Sequence, residues 1–281
     1  MIFEEIETKK WVGTCLGTIG VIYNNQTNTF RVDGNYTKYQ HYKNLTLEYY
    51  NKSLKINHEL NDIFGIALTK NKIAAHYWSN SNFDKALEYN TASRETFFNY
   101  NAKVQLAGSY QGAAEIYYMQ GEYEKSIYHI TKSIEIKDNF NDNKLMDDYI
   151  VLGKSYLNNK QYKLCIESLN KALELYSQID RGRALLVDIK VFLYIAKKKL
   201  NLYYDINSFD ILLNNLINPN DIIGVDFFEI NYSIYLLKEE KSYLEIAYNQ
   251  IQEQAGNLEP DLVAKFLSYP IPAAIVEEWE K

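Results

Sequence analysis

Residues 110–127 read YQGAAEIYYMQGEYEKSI, and this stretch decides the fold. Four of its residues have the relative spacing 0, 3, 4 and 7, which is one face of an α-helix: Tyr110, Ala113, Ala114 and Tyr117. A short polar turn at 120–122 follows, and from Tyr123 the apolar and small residues again recur with helical spacing. The stretch therefore predicts two consecutive helices joined by a tight turn.

The first of these helices has three further copies elsewhere in the chain. The corresponding residues are Leu16, Ile19, Gly20 and Tyr23; Lys70, Ile73, Ala74 and Tyr77; and Tyr149, Leu152, Gly153 and Tyr156. The third position of each copy is Gly or Ala, and such small residues let two helices approach to about 8–10 Å. In the last three copies this position recurs almost regularly, at Ala74, Ala114 and Gly153. The chain is thus predicted to be an array of helical pairs with a period of about 40 residues.

The pattern resembles the tetratricopeptide repeat (TPR) family, which has a bulky residue, Leu-Gly and Tyr in its first helix and Ala, an aromatic residue and Ala in its second. NFDKALEY at 82–89 and GEYEKSI at 121–127 are similar to the turn and second helix of that family. The resemblance covers residues 13–177 and implies an all-α fold, a right-handed α-solenoid of antiparallel helix pairs. The terminal proline of the family is absent from all four copies. The period also exceeds the family's usual length of about 34 residues, as in bacterial signalling-type arrays.

The whole chain, 1–281, is predicted to be one TPR-like solenoid. All four prolines lie after residue 218, so that proline interrupts no helix before that point. The predicted units are a first repeat at 13–56 with an insertion, well-matched repeats at 67–96, 107–136 and 146–175, degenerate repeats at 182–254, and capping helices at 259–281.

The first repeat is longer than the others. The step from Gly20 to Ala74 exceeds the step from Ala74 to Ala114 by about four helical turns. If 33–36 is the turn between its helices, both helices are about two turns longer than in the other pairs. In the alternative, residues 24–35 form a polar loop, and a turn after Val32 could close a short β-hairpin. The low helix propensity of Asn24-Asn25-Gln26-Thr27-Asn28 favours the loop, followed by a long helix after Gly34.

Composition excludes several functional classes. The net charge of -6 disfavours a general binder of nucleic acid or of anionic membranes. Two cysteines cannot form a disulfide framework, and no signal peptide or long apolar run is visible, so that a cytoplasmic location is expected. The 26 tyrosines are compatible with base stacking, but many occupy the repeated helix positions, where core packing explains them better.

No known catalytic motif is found, so neither an enzymatic activity nor a cofactor is predicted. The four histidines, His41, His58, His76 and His129, are too dispersed to predict a metal site. Cys165 replaces the small residue at a helix crossing, which predicts a buried, unreactive thiol.

In the family resembled, ligands bind on the concave surface that the first helices line. By repeat position, the residues expected to bind a protein or peptide are Asn71, Ala75, Trp78, Gln111, Glu115, Tyr118, Lys154 and Leu157. Trp78 and Tyr118 are the strongest candidates, because exposed aromatic residues are frequent hot spots of binding. The resulting hypothesis is a protein- or peptide-binding scaffold, with a sensory or regulatory segment of a bacterial signalling protein as the alternative.

Overall fold

A computed structural model describes residues 2–32, 35–138, 145–178, 182–215 and 227–281. Helices dominate this part of the chain, and no β-strand occurs in it. The helices are α1 (Ile2–Val32), α2 (Tyr36–Glu59), α3 (Ile63–Ser79), α4 (Phe83–Asn99), α5 (Lys103–Met119), α6 (Tyr123–Asp138), α7 (Leu145–Asn158), α8 (Tyr162–Tyr176), α9 (Arg183–Lys199), α10 (Ile206–Asn214), α11 (Phe227–Lys238), α12 (Lys241–Gly256), α13 (Pro260–Leu267) and α14 (Pro270–Trp279). The fold is therefore all-α, as predicted.

Consecutive helices pack as antiparallel pairs, and glycine allows the closest approach. On α1, Gly13 faces Ile56 of α2, whereas Gly20 faces Tyr50, so the two helices run in opposite directions. A Cβ atom placed on Gly20 would lie only 2.5 Å from Cδ1 of the Tyr50 ring. Tyr50 is itself buried, with 2% of its surface exposed, and this ring cannot move aside without disturbing the pair.

Substitution of Gly20 by alanine is expected to destabilise the protein by about 1–3 kcal/mol, because the added methyl group overpacks the α1–α2 contact. Gly108→Ala is the matched control, since Gly108 lies on an exposed side of α5 and a Cβ atom there meets no atom within 4 Å. We expect this control to gain about 0.5–1 kcal/mol from helix propensity. Urea unfolding of both variants measures the difference; equal stabilisation by both substitutions would contradict the close approach at Gly20.

A repeated backbone geometry ends many of the helices. Among the described residues, seven that follow a helix have a positive φ angle: Asn61, Ser81, Asn101, Gly121, Lys160, Asn201 and Glu239. The first four recur at a constant interval along the chain. After each of the seven except Glu239, the next backbone N–H donates to the carbonyl group five residues before it, at 2.8–2.9 Å. These hydrogen bonds are those of a Schellman motif, which ends one helix and redirects the chain into the next.

The repeated tyrosines pack inside their own helix pairs. Tyr77 stacks on Tyr89 with 5.6 Å between ring centroids, and Tyr117 stacks on His129 at 5.1 Å. In both cases the partner ring lies on the second helix of the pair. A lysine one helical turn before that partner, Lys85 or Lys125, also approaches the tyrosine ring. These contacts support the interpretation of the repeated tyrosines as packing residues.

The predicted loop at residues 24–35 is wrong, because α1 continues as a helix through Val32. Tertiary contacts outweigh the low helix propensity of the segment. The Thr27 side chain is buried and its hydroxyl donates to the Tyr23 carbonyl at 2.8 Å, while Asn24 Oδ1 lies 2.9 Å from His76 Nδ1. The expectation of two lengthened helices is the correct one, with α2 beginning at Tyr36. Gly34 lies outside the described residues.

The contacts divide the chain into two compact units. Unit 1 spans Met1–Ile116 and contains α1 to α4 and most of α5; its core includes Tyr50, Ile73 and Phe97. Unit 2 spans Tyr117–Lys281 and contains the end of α5 and helices α6 to α14.

Unit 2 has a large apolar core and a turn that packs on its last helix. The core includes Leu169, Phe192 and Ile234. The turn between α5 and α6 contacts α14, since a Cβ atom on Gly121 would lie 2.5 Å from Cγ of Pro270. Cys165 is buried as predicted, and burial raises the pKa of its thiol to about 12. No helix of the described residues has the length and apolar composition required to cross a membrane.

Candidate ligand-binding surface

Three of the predicted site residues form a stripe along α3. Asn71, Ala75 and Trp78 are separated by four and three residues and therefore share one side of the helix. Ala75 is exposed, and Asn71 and Trp78 are half-buried. The indole N–H of Trp78 is covered and has no hydrogen-bond acceptor among the described residues. We name this stripe the α3 face.

A buried polar network holds α3 in place behind this face. His76 Nδ1 lies 2.9 Å from Asn24 Oδ1 of α1, and Asn80 Nδ2 donates to the His76 carbonyl at 2.7 Å. Asn80 Oδ1 in turn accepts from the Tyr39 hydroxyl of α2 at 2.6 Å. Burial, aided by the charge of Lys43, lowers the pKa of His76 to about 4, so the imidazole is neutral at pH 7. The network fixes the end of α3 that carries Ala75 and Trp78.

Two further predicted residues lie together on α5. Gln111 Nε2 donates to Glu115 Oε1 at 3.0 Å, and both side chains are half-buried. Gly108, one helical turn before Gln111, is exposed. Both residues keep part of their surface accessible, and amide and carboxylate groups can exchange hydrogen bonds with a ligand.

The prediction that Tyr118 is exposed is wrong, since only 4% of its surface is accessible. Its hydroxyl donates to Glu229 Oε1 on α11 and accepts from Asn158 Nδ2 at 2.8 Å. Lys154, also predicted to line a groove, is 9% exposed. Its Nζ atom lies 2.5 Å from Glu229 Oε2 and 5.1 Å from the centre of the Tyr118 ring. The structure thus brings Tyr118 and Lys154 together, but under cover of α11.

Glu229 was missed by the sequence analysis. It is 2% exposed and supplies the carboxylate that pairs with both Tyr118 and Lys154. A signal was present, because Glu229 is the only charged residue in the apolar stretch FFEINYSIYLL at 227–237. A lone charge in such a stretch indicates a buried partner of opposite charge.

Two aromatic rings lie near the partners of Glu229. The Phe192 ring lies 5.1 Å from Lys154 Nζ, and the Tyr123 ring lies 5.8 Å from that of Tyr118. Burial, together with the negative charge of Glu229, raises the pKa of Tyr123 to about 12. Leu157, the last predicted site residue, is half-buried on the same helix as Lys154. Tyr118, Lys154, Asn158 and Glu229 form what we name the Glu229 cluster.

A metal site is not found in the described part of the chain, where no group of three or more His, Cys, Asp or Glu side chains could hold an ion. The His76 side chain contacts Asn24 in the buried polar network, and the His129 ring stacks on Tyr117. The accessible chemistry of the α3 face and of the α5 pair is therefore that of amide, carboxylate and aromatic groups.

No protein-family model and no curated protein sequence matches the chain. Solved structures do match it. BtubC (BKLC) from P. vanneervenii is 12% identical with a TM-score of 0.55, and the match covers 76% of this chain and 89% of that one. The apo form of RapI is 17% identical with a TM-score of 0.54 and coverage of 91% and 85%.

A third solved structure also matches the chain. The kinesin light chain TPR-like repeats of Podosopora anserina are 10% identical with a TM-score of 0.51, and the match covers 80% of this chain and 99% of that one. Identities this low establish the fold alone. With its antiparallel helix pairs and its regularly spaced turns, the chain has the fold of TPR-like helical-repeat proteins.

Proposed function

We propose that the chain is a scaffold that binds a protein or peptide segment on the α3 face, with Gln111 and Glu115 of α5 as further ligand contacts. The observation that carries the proposal is a contrast between equivalent repeat positions. In unit 2, Tyr118 and Lys154 are buried by a side chain of the same protein, whereas in unit 1 Ala75 is exposed and Asn71 and Trp78 are partly accessible.

The side chains of the α3 face suit an extended peptide. Trp78 offers a large apolar area and an indole N–H group that has no acceptor among the described residues. Asn71 and Gln111 each carry both a donor and an acceptor, as pairing with a peptide backbone requires. The small side chain of Ala75 leaves room between Asn71 and Trp78 for the backbone of a peptide ligand to approach α3.

A blocking substitution at Ala75 tests this proposal. Ala75→Arg places a long charged side chain on the α3 face without disturbing the core, because Ala75 is exposed. Proteins captured from cells by the wild-type chain are identified by mass spectrometry, and peptides that cover their sequences are titrated by calorimetry. We expect Ala75→Arg to weaken binding of the active peptide at least about tenfold, through steric exclusion.

Tyr203→Arg is the matched control, since Tyr203 lies in unit 2 with 84% of its surface exposed. This variant should bind the peptide as the wild type does. If Ala75→Arg retains the same proteins and binds the same peptides with unchanged affinity, the α3 face is not the binding site.

The alternative function is a sensory or regulatory segment, and the division into two compact units favours it. In such a protein, a ligand bound to one unit changes the exposure of the other. Hydrogen exchange measured with and without the peptide identified by calorimetry separates the two functions. Protection limited to α3 and α5 supports a scaffold, and altered exchange in α11 or α12 supports regulation.

We expect neither nucleic acid nor a membrane as a partner, and we propose a cytoplasmic location. The net charge of -6 supports the exclusion of polyanionic partners, because phosphate groups would be repelled on average.

A further inference from the structure

The outward side of α1 carries a regular row of exposed residues. The members are Thr8, Trp11, Cys15, Thr18, Ile22, Asn25 and Thr29, separated by alternating steps of three and four residues. Trp11 is 65% exposed and Ile22 is 51% exposed, although both are large apolar side chains. We name this row the α1 seam.

The seam lies opposite the side of α1 that packs in unit 1. At 100° per residue, Gly13 and Gly20 point about 170° away from the middle of the seam and Gly17 about 130° away, and these glycines face Ile56, Tyr50 and Ser53 of α2, respectively. The described neighbours of α1 in unit 1 are α2 and, over a smaller area, α3. The seam is therefore turned away from the core of its own unit.

The seam lacks the charges that a permanently solvated helix face carries. Residues 11–30 contain no Asp, Glu, Lys or Arg, whereas at the 23% of the whole chain a stretch of this length would hold about five. A contiguous exposed face without charge that includes Trp11 and Ile22 is typical of an interaction surface.

The threonines make the seam more apolar than their side chains suggest. The hydroxyl groups of Thr8, Thr18 and Thr29 donate to carbonyls of their own helix, four residues earlier, at 2.7, 3.0 and 3.2 Å. Their hydrogen-bonding capacity is thereby largely used within α1. The groups that remain for a partner are the methyl groups, which pack well against another helix.

We propose that the α1 seam is a homodimer interface, which binds the α1 seam of a second copy of this chain in antiparallel orientation. Alternating steps of three and four residues are the spacing with which one helix packs along another. An uncharged seam needs a partner surface that is also uncharged, and the seam itself is such a surface, so that two copies are complementary.

The order of the residues favours a twofold axis near Thr18. An antiparallel copy then places Thr8 opposite Thr29, Cys15 opposite Ile22, and Trp11 opposite Asn25, whose amide oxygen can accept from the indole N–H. The parallel arrangement would instead place the acidic residues Glu4, Glu5 and Glu7 of the two copies side by side. Like charges so close repel each other, and antiparallel packing separates them by the length of the seam.

The size of the seam sets the expected affinity. From Thr8 to Thr29 it extends about 32 Å, at 1.5 Å per residue. A contact of this length between two helices buries several hundred Å² on each copy, which is near the lower bound for a specific interface. We therefore expect a dissociation constant in the micromolar range.

Sedimentation equilibrium of the full chain between about 1 and 300 μM tests the proposal. The wild type is expected to pass from monomer to dimer over this range. Trp11→Glu and Ile22→Glu should weaken dimerisation at least tenfold, because each places two buried charges at the interface. The matched controls are Phe98→Glu and Ile63→Glu in the same unit, at residues that are 68% and 55% exposed; they should dimerise as the wild type does.

Disulfide trapping tests the orientation. In Ile22→Cys, the new thiol of one copy should face the native Cys15 of the other, so that mild oxidation gives a dimer whose linked peptides contain residues 15 and 22. The wild-type chain, with Cys15 exposed and Cys165 buried, should remain largely unlinked.

Three results would overturn the proposal. The first is a wild-type monomer at the highest concentration of that range, and the second is equal dimerisation of Ile22→Glu and the wild type. The third is a link between two copies of Cys15 as the main oxidised product, which indicates parallel packing or an antiparallel register centred on residue 15. Binding of a monomeric chain to neutral phosphatidylcholine vesicles, lost in Trp11→Glu, would identify a lipid surface as the occupant instead.

Discussion

Replacing Lys137 by methionine is expected to destabilise unit 2 by about 3–5 kcal/mol at pH 8, because it leaves a buried carboxylate without its counter-charge. Lys137 of α6 and Asp148 of α7 form an ion pair with 2.6 Å between Nζ and Oδ1, and the side chains are only 2% and 0% exposed. Urea unfolding followed by circular dichroism measures the loss.

The loss of stability in Lys137→Met should be larger at high pH than at low pH. Burial raises the pKa of Asp148 to about 6 in the folded wild type, although Lys137 and Ser133 act to lower it. Without Lys137 the folded pKa rises further above the ordinary value of 3.8. The folded variant then holds a proton that the unfolded chain has released, so that its stability falls as the pH rises between these two pKa values.

The loss at pH 5 should therefore be smaller than at pH 8, by about 1.4 kcal/mol for each unit that the substitution adds to the pKa of Asp148. Lys132→Met is the matched control on the same helix, since Lys132 pairs with Glu135 at 2.7 Å but the two side chains are 38% and 55% exposed. This control should cost less than about 1 kcal/mol. A pH-independent loss in Lys137→Met would contradict the account given for Asp148.

A double substitution separates the ion pair from the packing around it. Lys137→Met combined with Asp148→Leu removes both charges together and should recover most of the stability. If the double variant is as unstable as Lys137→Met alone, the loss comes from packing and not from the unpaired carboxylate.

The second large effect is expected at the Glu229 cluster. Glu229→Gln should destabilise unit 2 by about 3 kcal/mol, because Lys154 keeps its charge, with 11% of its side chain exposed, and loses the carboxylate that pairs with it. The Tyr118 hydroxyl also loses a charged acceptor. Equilibrium unfolding in urea gives the free-energy difference, and hydrogen exchange shows whether the end of α5, α7 and α11 lose protection together.

A second substitution that restores stability is the decisive control for the Glu229 cluster. Lys154→Met in the Glu229→Gln background removes the stranded ammonium group and leaves a flexible apolar side chain between the rings of Tyr118 and Phe192. We expect it to recover at least half of the loss. Glu253→Gln on α12, where Glu253 is exposed, should change stability by less than about 0.5 kcal/mol.

The periodic features of the fold could be predicted from the sequence, whereas the course of α1 could not. The repeated spacing of small residues and tyrosines identified the helix pairs because each pair is closed by local contacts, such as that of Tyr77 with Tyr89. The loop expected at residues 24–35 rested on local propensity alone. The structure makes this segment helical through partners far away in sequence, among them His76.

The candidate site could likewise be predicted from the sequence only in part. Repeat position placed the predicted residues on α3, α5 and α7, but it could not tell which of them stay accessible. Tyr118 is covered by Glu229, which lies far along the chain, in a part where the repeat pattern has decayed. Ala75 is exposed, although it occupies the same repeat position as the buried Lys154. Accessibility of a repeat position is thus decided by remote helices, which a single sequence does not reveal.

The left-handed turn residues at 61, 81, 101 and 121 have a further consequence for how such a chain can change over time. Turns of different sequence, Asn61-Asp62, Ser81-Asn82 and Asn101-Ala102, are closed by the same backbone hydrogen bond. The turns before and after one helix pair have the same geometry. Excision or duplication of the DNA that encodes such a pair therefore joins chain ends that fit each other. A chain with such matching turns can gain or lose whole helix pairs while each junction keeps its form.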